Sequence, residues 1–241
     1  MSGHSKWSTI KRKKEKTDSQ RAKIFTKIGR EIAVAVRESG PDPSVNSKLA
    51  GIIAKAKVNN VPNDNIERII KKAAGENGGA SYEELFYEGY GPAGVAVIVE
   101  TLTDNRNRTA GDMRHYFDKN GGNLGQNGCV AFLFTRQGQL IVEAEGVSEE
   151  KLMEDALEAG ATDFFADDDM FDIRTEPVDF LAVQETLSAK GYTFISAEIA
   201  YIAVTETALS NEDDIKKMER LLETLEDNDD VQSVWHNWQE G

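Results

Sequence analysis

The sequence predicts an α+β protein: an N-terminal three-helix domain followed by two ferredoxin-like α/β domains, one inserted into the other. Three observations support this. Apolar residues recur at helical spacing, with no strand pattern, from Arg21 to Gly75. Strand and helix patterns alternate after that. A complete β-α-β-β-α-β series then lies between two β-α-β segments, which together form a second such unit. The expected boundaries are a flexible basic arm at 1–20, a helical bundle at 21–76, a discontinuous α+β domain from 77–135 with 199–241, and an acidic inserted domain at 136–198.

Taken in order, Lys-rich residues 1–20 hold one aromatic, Trp7, and bury too little apolar surface to fold alone. From Arg21 to Ser39, Ile24, Phe25, Ile28, Ile32, Ala35 and Val36 form one face of a helix that ends at Gly40-Pro41. Lys23, Arg30 and Arg37 fall about 140° or more around from Ile28, and Lys27 about 100°, as a cationic stripe. A second helix is expected over Ser47–Asn59. A third starts at Asn63 or Asp64 behind Pro62, with Asp64 and Glu67 spaced as a capping box, and Gly75 stops it. Glu76 to Ala80 reads as a linker.

In the acidic body, Val95, Val97 and Val99 mark a strand, Arg108–Lys119 a helix and Val130–Phe134 a strand. The inserted series has strands at Leu140–Glu143, Asp163–Ala166, Phe171–Thr175 and Thr193–Ala197, with helices at Glu149–Glu158 and Val178–Lys190. Ile199–Thr205, Asp213–Leu225 and Val231–Trp235 then give strand, helix and strand.

Charge divides along the same line. Residues 1–72 carry 17 Lys/Arg and 7 Asp/Glu, a balance of +10, whereas the other 169 carry 11 and 35, a balance of −24. A basic head on an acidic body suits a protein that meets a polyanion at one end. The cluster Lys11, Arg12, Lys13 and Lys14, with Lys6 and Trp7 upstream and the helical stripe downstream, makes a cationic surface with an aromatic for base stacking. Arg106 and Arg108 stand at a helix start, where they either accompany a turn capped by Asn107 or help hold a phosphate. The loop Asn120–Gly128 is either functional or a strained turn.

Other patterns have ordinary readings. Gly89-Tyr90-Gly91-Pro92-Ala93-Gly94 satisfies GxGxxG but leads into a strand, so it reads as a glycine-rich turn rather than a nucleotide site. Gly128–Phe134 looks like an RNA-stacking strand but lacks its leading basic residue and first aromatic, so Phe132 and Phe134 are expected in the core. Asp167-Asp168-Asp169 suits a hairpin turn, and His4, His115 and His236 are scattered. No nucleophile–base arrangement stands out, so neither an enzyme nor a metal or other cofactor is expected. One cysteine, Cys129, excludes an internal disulfide, and the polar start Met1–Trp7 resembles neither signal peptide nor membrane span, so a cytoplasmic protein is expected. The second and third helices have helix-turn-helix spacing, but Asp64 and Glu67 at the recognition end oppose duplex reading, so structured RNA is favoured over DNA.

Several segments together resemble the YebC family: Gly3-His4-Ser5-Lys6-Trp7, Asp42-Pro43 with Asn46, Pro62–Ile66, Tyr87–Pro92, Thr103-Asp104-Asn105 with Asn107-Arg108-Thr109, and Gly121–Gly125. The resemblance implies a three-domain fold and a regulator of gene expression. Such proteins are described as probable DNA-binding transcriptional regulators. The mitochondrial relative is a translational activator of cytochrome c oxidase synthesis, and bacterial relatives ease ribosome stalling at proline-rich stretches. Ala93 departs from the family's usual glycine, which serves either ligand approach or turn shape. The expected partner is nucleic acid, with rRNA or tRNA on the ribosome preferred and DNA as the alternative. The acidic body offers a surface for a protein partner.

Overall fold

The computed structural model describes residues 18–75 and 82–239, with side chains from Ala22 onward. The arm residues Lys6, Trp7, Lys11, Arg12, Lys13 and Lys14 lie outside the described residues, as does the linker at Glu76–Ala80. Three helices come first: α1 (Asp18–Ser39), α2 (Ser47–Val58) and α3 (Asn63–Gly75). Their predicted apolar faces meet in one core of Ile28, Ile32, Ala35, Val36, Leu49, Ile52, Ala56, Val61 and Ile66. Asn46 fixes the first corner. Its side-chain oxygen caps α2 by accepting from the Leu49 amide at 3.0 Å, while its Nδ2 donates to the carbonyls of Ala35 and Gly40, each at 2.8 Å. Glu67 was expected to close a capping box with Asp64; it reaches toward Lys71 at 3.7 Å instead.

The body has two four-stranded sheets in which every neighbouring pair is antiparallel. The first is built from β1 (Glu83–Tyr90), β2 (Ala96–Thr103), β3 (Asn123–Leu124) and a late strand, Val231–His236, in the order β3-β1-β2-late strand. Helix α4 (Arg106–Lys119) connects β2 to β3. The second sheet runs β4 (Phe134–Glu143), α5 (Glu149–Ala159), β5 (Asp163–Ala166), β6 (Met170–Thr175), α6 (Phe180–Ala189) and β7 (Ser196–Ala203), in the order β5-β6-β4-β7. After it come β8 (Thr207–Ala208), α7 (Glu212–Asp227), β9 (Val231–His236, the late strand) and β10 (Trp238–Gln239), with β8 and β10 paired in parallel. Asp167–Asp169 close the β5–β6 hairpin, the Asp167 amide donating to the Met170 carbonyl at 2.9 Å. Among the described residues no helix is long and apolar enough to cross a membrane.

Three features of the body depart from the sequence reading. Strand β1, absent from that reading, occupies the centre of the first sheet beside β2. Residues 131–133, expected in a strand, form a 3-10 turn, so the partner of α4 is the short β3. Finally, the strands expected at Thr193–Ala197 and Ile199–Thr205 are one strand, β7, paired with β4 from Phe134↔Ala203 to Ile141↔Ser196. Ala197 and Ile199 of β7 pack with α5 and α6, whereas Ala200 and Ile202 pack with Ala96, Ile98 and Trp235 of the first sheet. The opposite face of that first sheet is covered by α4 and α7 through Met113, Phe117, Met218, Leu221, Leu222 and Leu225.

The glycine pattern at 89–94 has a packing role. A Cβ on Gly89 would lie 2.6 Å from the Asn123 carbonyl oxygen and 2.8 Å from Phe117, so a side chain there would separate β1 from β3 and α4. Ala93 adopts φ 51°, ψ 24°, the left-handed region that favours glycine, in the turn between β1 and β2. The backbone therefore supports the turn-shaping role for this position. Ala93→Gly should relieve more strain than it adds unfolded-state entropy, raising stability by about 0.5–1 kcal/mol in urea denaturation.

Candidate nucleic-acid interface

The predicted cationic stripe of α1 faces the acidic C-terminal end of α7. Lys23 Nζ lies 2.8 Å from an Asp227 carboxylate oxygen, and this hydrogen bond raises the ammonium above the ordinary lysine value despite some desolvation. Lys27 donates to the Glu226 carbonyl at 2.7 Å, and Arg30 to the Asp229 carbonyl at 2.8 Å. Helix C-terminal carbonyls carry partial negative charge, so α7 favours cations there even where no carboxylate takes part. Arg37 is exposed near the end of α1.

Asp230 joins this interface to the middle of the protein. One carboxylate oxygen accepts from Arg30 at 3.1 Å; the other accepts from Arg108 at 2.7 Å, Thr109 at 2.9 Å and Thr103 at 3.1 Å. Its amide and carbonyl are bound as well, to Asn228 and to the Leu102 amide. Burial pushes the carboxyl up, but the hydrogen bonds from Arg108, Thr109 and Thr103 outweigh it and hold the group below the ordinary aspartate value. One carboxylate thus gathers Arg30 from the stripe and Arg108 from the predicted helix start. Asn105, rather than Asn107, caps α4, its side chain accepting from the Arg108 amide at 3.1 Å. Arg106 is more open, 3.3 Å from Glu83 with both side chains over half exposed.

A second charged cluster lies where the helical unit meets both sheets. Lys55 of α2 sits 2.8 and 3.1 Å from the two Glu31 oxygens. Burial lowers the Lys55 ammonium, but Glu31, Glu198 and Glu100 together more than offset it and raise it. Burial pushes Glu100 up to about 7 against the attraction of Lys55, with Glu31 and Glu84 adding repulsion.

The glycine loop is organised by Glu88 of β1. Its carboxylate is buried and accepts three backbone hydrogen bonds, from Gly128 at 2.7 Å and from Val130 and Ala131 at 2.9 Å each. Amides turned toward a carboxylate are withdrawn from any sheet ladder, which accounts for the missing strand at 130–133. Phe134 is buried as expected, but Phe132, expected beside it in the core, is 72% exposed. A 3-10 turn advances side chains by about three residues per turn, so strand alternation fails across it.

Sequence reasoning missed Glu88, Asp230 and the exposure of Phe132. Glu88 carries one usable signal, a carboxylate set between Tyr87 and the Gly89-Tyr90 pair in mid-strand. Asp230 is hidden within an acidic run, Glu226 to Asp230, where nothing sets one carboxylate apart.

Removing the Asp230 carboxylate leaves Arg30, Arg108, Thr103 and Thr109 without their shared partner. Asp230→Ala should lower unfolding free energy by about 3 kcal/mol in urea denaturation. For Glu100, the neutral form is favoured in the fold, so its contribution is intact below the unfolded value of 4.5 and is lost as pH rises toward about 7. Glu100→Gln should therefore make stability flatter across this range and leave the variant more stable than the parent protein at alkaline pH, as measured by urea denaturation at several pH values.

Residues 5–76 match the family described as "TACO1/YebC protein N-terminal domain", and residues 82–238 match "TACO1/YebC second and third domain". A probable transcriptional regulatory protein of Ruminiclostridium cellulolyticum is 59% identical over 241 residues, covering 100% of this chain and 97% of the relative. One from Clostridioides difficile is 57% identical over 228 residues, covering 94% and 95%. The crystal structure of a conserved hypothetical protein from Aquifex aeolicus superposes with a TM-score of 0.83 at 46% identity, covering 93% of this chain and 92% of that one. With both family matches and full-length relatives in agreement, the chain belongs to the TACO1/YebC family of probable transcriptional regulatory proteins.

Proposed function

We propose that this regulator acts by binding RNA on the ribosome, with the basic N-terminal region as the gripping element and the acidic body as a shaped spacer that is kept off phosphates. The main support is where the positive charge remains. Lys23, Lys27 and Arg30 are engaged by residues 226–230, and Lys48 and Lys55 by Glu38 and Glu31. Over residues 1–16 the sequence carries six Lys/Arg against one Asp/Glu, including Lys6, Lys11, Arg12, Lys13 and Lys14, together with Trp7, a residue type that stacks on bases.

A second reading is a DNA-binding transcriptional regulator, which the relatives' description as probable transcriptional regulatory proteins favours. Helix α3 argues against sequence-specific duplex reading, because its N-terminal turns expose Asp64 and Glu67 where a recognition helix meets the groove. Lys48 and Lys55, which could brace α2 on the backbone, point to carboxylates instead.

Co-sedimentation with purified ribosomes across a salt series tests the first reading. Association should weaken with salt, at a slope of about 0.7 per phosphate neutralised, and should be lost on deleting residues 1–16. Unchanged association of the deletion variant overturns the arm's role. Binding to particular duplexes well above random DNA at physiological salt would support the second reading instead.

A further inference from the structure

We infer that Phe132 and the glycine loop form a second contact, which stacks one unpaired base of the RNA. The inference rests on the RNA reading above. The first observation is that the exposure of Phe132 is built into the fold. Val130 and Phe134 on either side are buried at 0% and 8%, while Phe132 is 72% exposed. The backbone carrying it cannot readily turn the ring inward, because the Glu88 carboxylate holds the amides of Gly128, Val130 and Ala131, and Leu133 is tied on both sides. Its amide donates to the Val130 carbonyl at 2.9 Å and its carbonyl accepts from Val204 at 2.8 Å. Leaving a ring in water forfeits about 1.5–3 kcal/mol that burial would contribute, so a fixed outward aromatic suits a ligand better than it suits the isolated fold.

The second observation is the charge along the segment that carries the ring. In a chain with 42 Asp/Glu, no carboxylate occurs from Lys119 to Val142. Glu88, which enters from β1, is buried and spends both oxygens on backbone amides. Lys119 and Arg136, at either end of this segment, are exposed and form no ion pair among the described residues. Lys217, also exposed, comes from α7, its Cδ 3.5 Å from where a Cβ on Gly121 would stand.

Between these cations the exposed residues besides Phe132 are Gly121, Asn123, Gly125, Gln126, Asn127, Gly128 and Thr135, which offer amide and hydroxyl groups and little bulk. An exposed aromatic on a segment rich in amides, with cations at its ends and beside Gly121, matches the chemistry of a single-stranded RNA platform, in which a base stacks on the ring and phosphates stay near Lys or Arg. A protein-docking patch would surround the ring with further apolar side chains. Val204, whose amide donates to the Leu133 carbonyl, is an exposed apolar residue tied to this segment, at 65%.

The test uses the full chain and fluorescently labelled single-stranded RNA oligonucleotides of about a dozen nucleotides, read by anisotropy. Phe132→Ala should weaken binding about tenfold, with an unchanged salt slope because no phosphate contact is lost. Phe132→Tyr and Phe132→Trp should bind like the parent protein, and Phe132→Trp should show RNA-dependent quenching beyond that of the native tryptophans. This fluorescence also reads the contact independently should the alanine variant fold poorly. Parent-like affinity of Phe132→Ala, full rescue by Phe132→Leu, or no added quenching in Phe132→Trp overturns the stacking role. If Phe132→Ala binds normally while deletion of residues 1–16 abolishes binding, the stacking role falls and the RNA reading stands. If the parent chain binds neither RNA nor ribosomes, both fall together.

Discussion

The arrangement of the molecule depends on the Asp230 carboxylate. It sits at the start of β9, where the chain returns to the first sheet after building the second, and it binds the end of β2, the first turn of α4 and the middle of α1. A buried carboxylate with only one cation nearby would be costly, since desolvation of the charge can exceed a single Coulombic gain. Here two guanidinium groups and two threonine hydroxyls share the two oxygens. Losing any one partner therefore weakens the hold on elements far apart in sequence. Arg108, which sequence alone left between a capped turn and a phosphate contact, acts with Thr103 and Thr109 as a donor to this carboxylate.

That arrangement changes the meaning of the charge split. Taken alone, a +10 head and a −24 body imply a polyanion-binding end and a repelling end. In the fold, part of the opposition is resolved internally, because one face of α1 lies on the acidic end of α7 and Lys55 lies among Glu31, Glu100 and Glu198. The net positive potential offered to a ligand is therefore smaller than the count implies.

How much of this is legible in sequence follows from the period of each element. The three helices of the first unit read well because each buries a single stripe: Ile28, Ile32 and Ala35 in α1, Leu49, Ile52 and Ala56 in α2, and Ile66 and Ala73 in α3. In the second sheet β5 and β6 also read well, whereas β4 begins at Phe134, six residues ahead of the expected Leu140. Strand β1 does not read well, since Glu83 and Glu84 open it and Gly89 interrupts its side-chain pattern. Strand β7 looks like two strands because it is apolar on both faces, Ala197 and Ile199 toward one core and Ala200 and Ile202 toward another. Alternation locates a boundary only when one face is wet. Phe132 is misread for a related reason, since backbone hydrogen bonds to a carboxylate forty residues away replace a strand with a 3-10 turn.

The two kinds of interface in the molecule differ in what disturbs them. The two sheets are joined by an apolar layer, Ala96, Ile98, Val130, Phe134, Ala200, Ile202 and Trp235, and by the long β4–β7 ladder that runs beyond its own core to reach it. Salt and phosphate have little purchase on such a contact, since its driving force is apolar burial. The helical unit meets the α7 end through Lys23, Lys27 and Arg30, of which Lys23 and Asp227 are well exposed at 40% and 64%. Exposed pairs of this kind are worth well under 1 kcal/mol each and are screened by salt. A phosphate backbone approaching α1 competes with the α7 end on nearly equal terms for Lys23, but not for Arg30, whose partner Asp230 is buried with three further donors. The cationic face of α1 therefore divides physically, into an outer part that salt and competing anions can loosen and an inner part committed to holding the protein together.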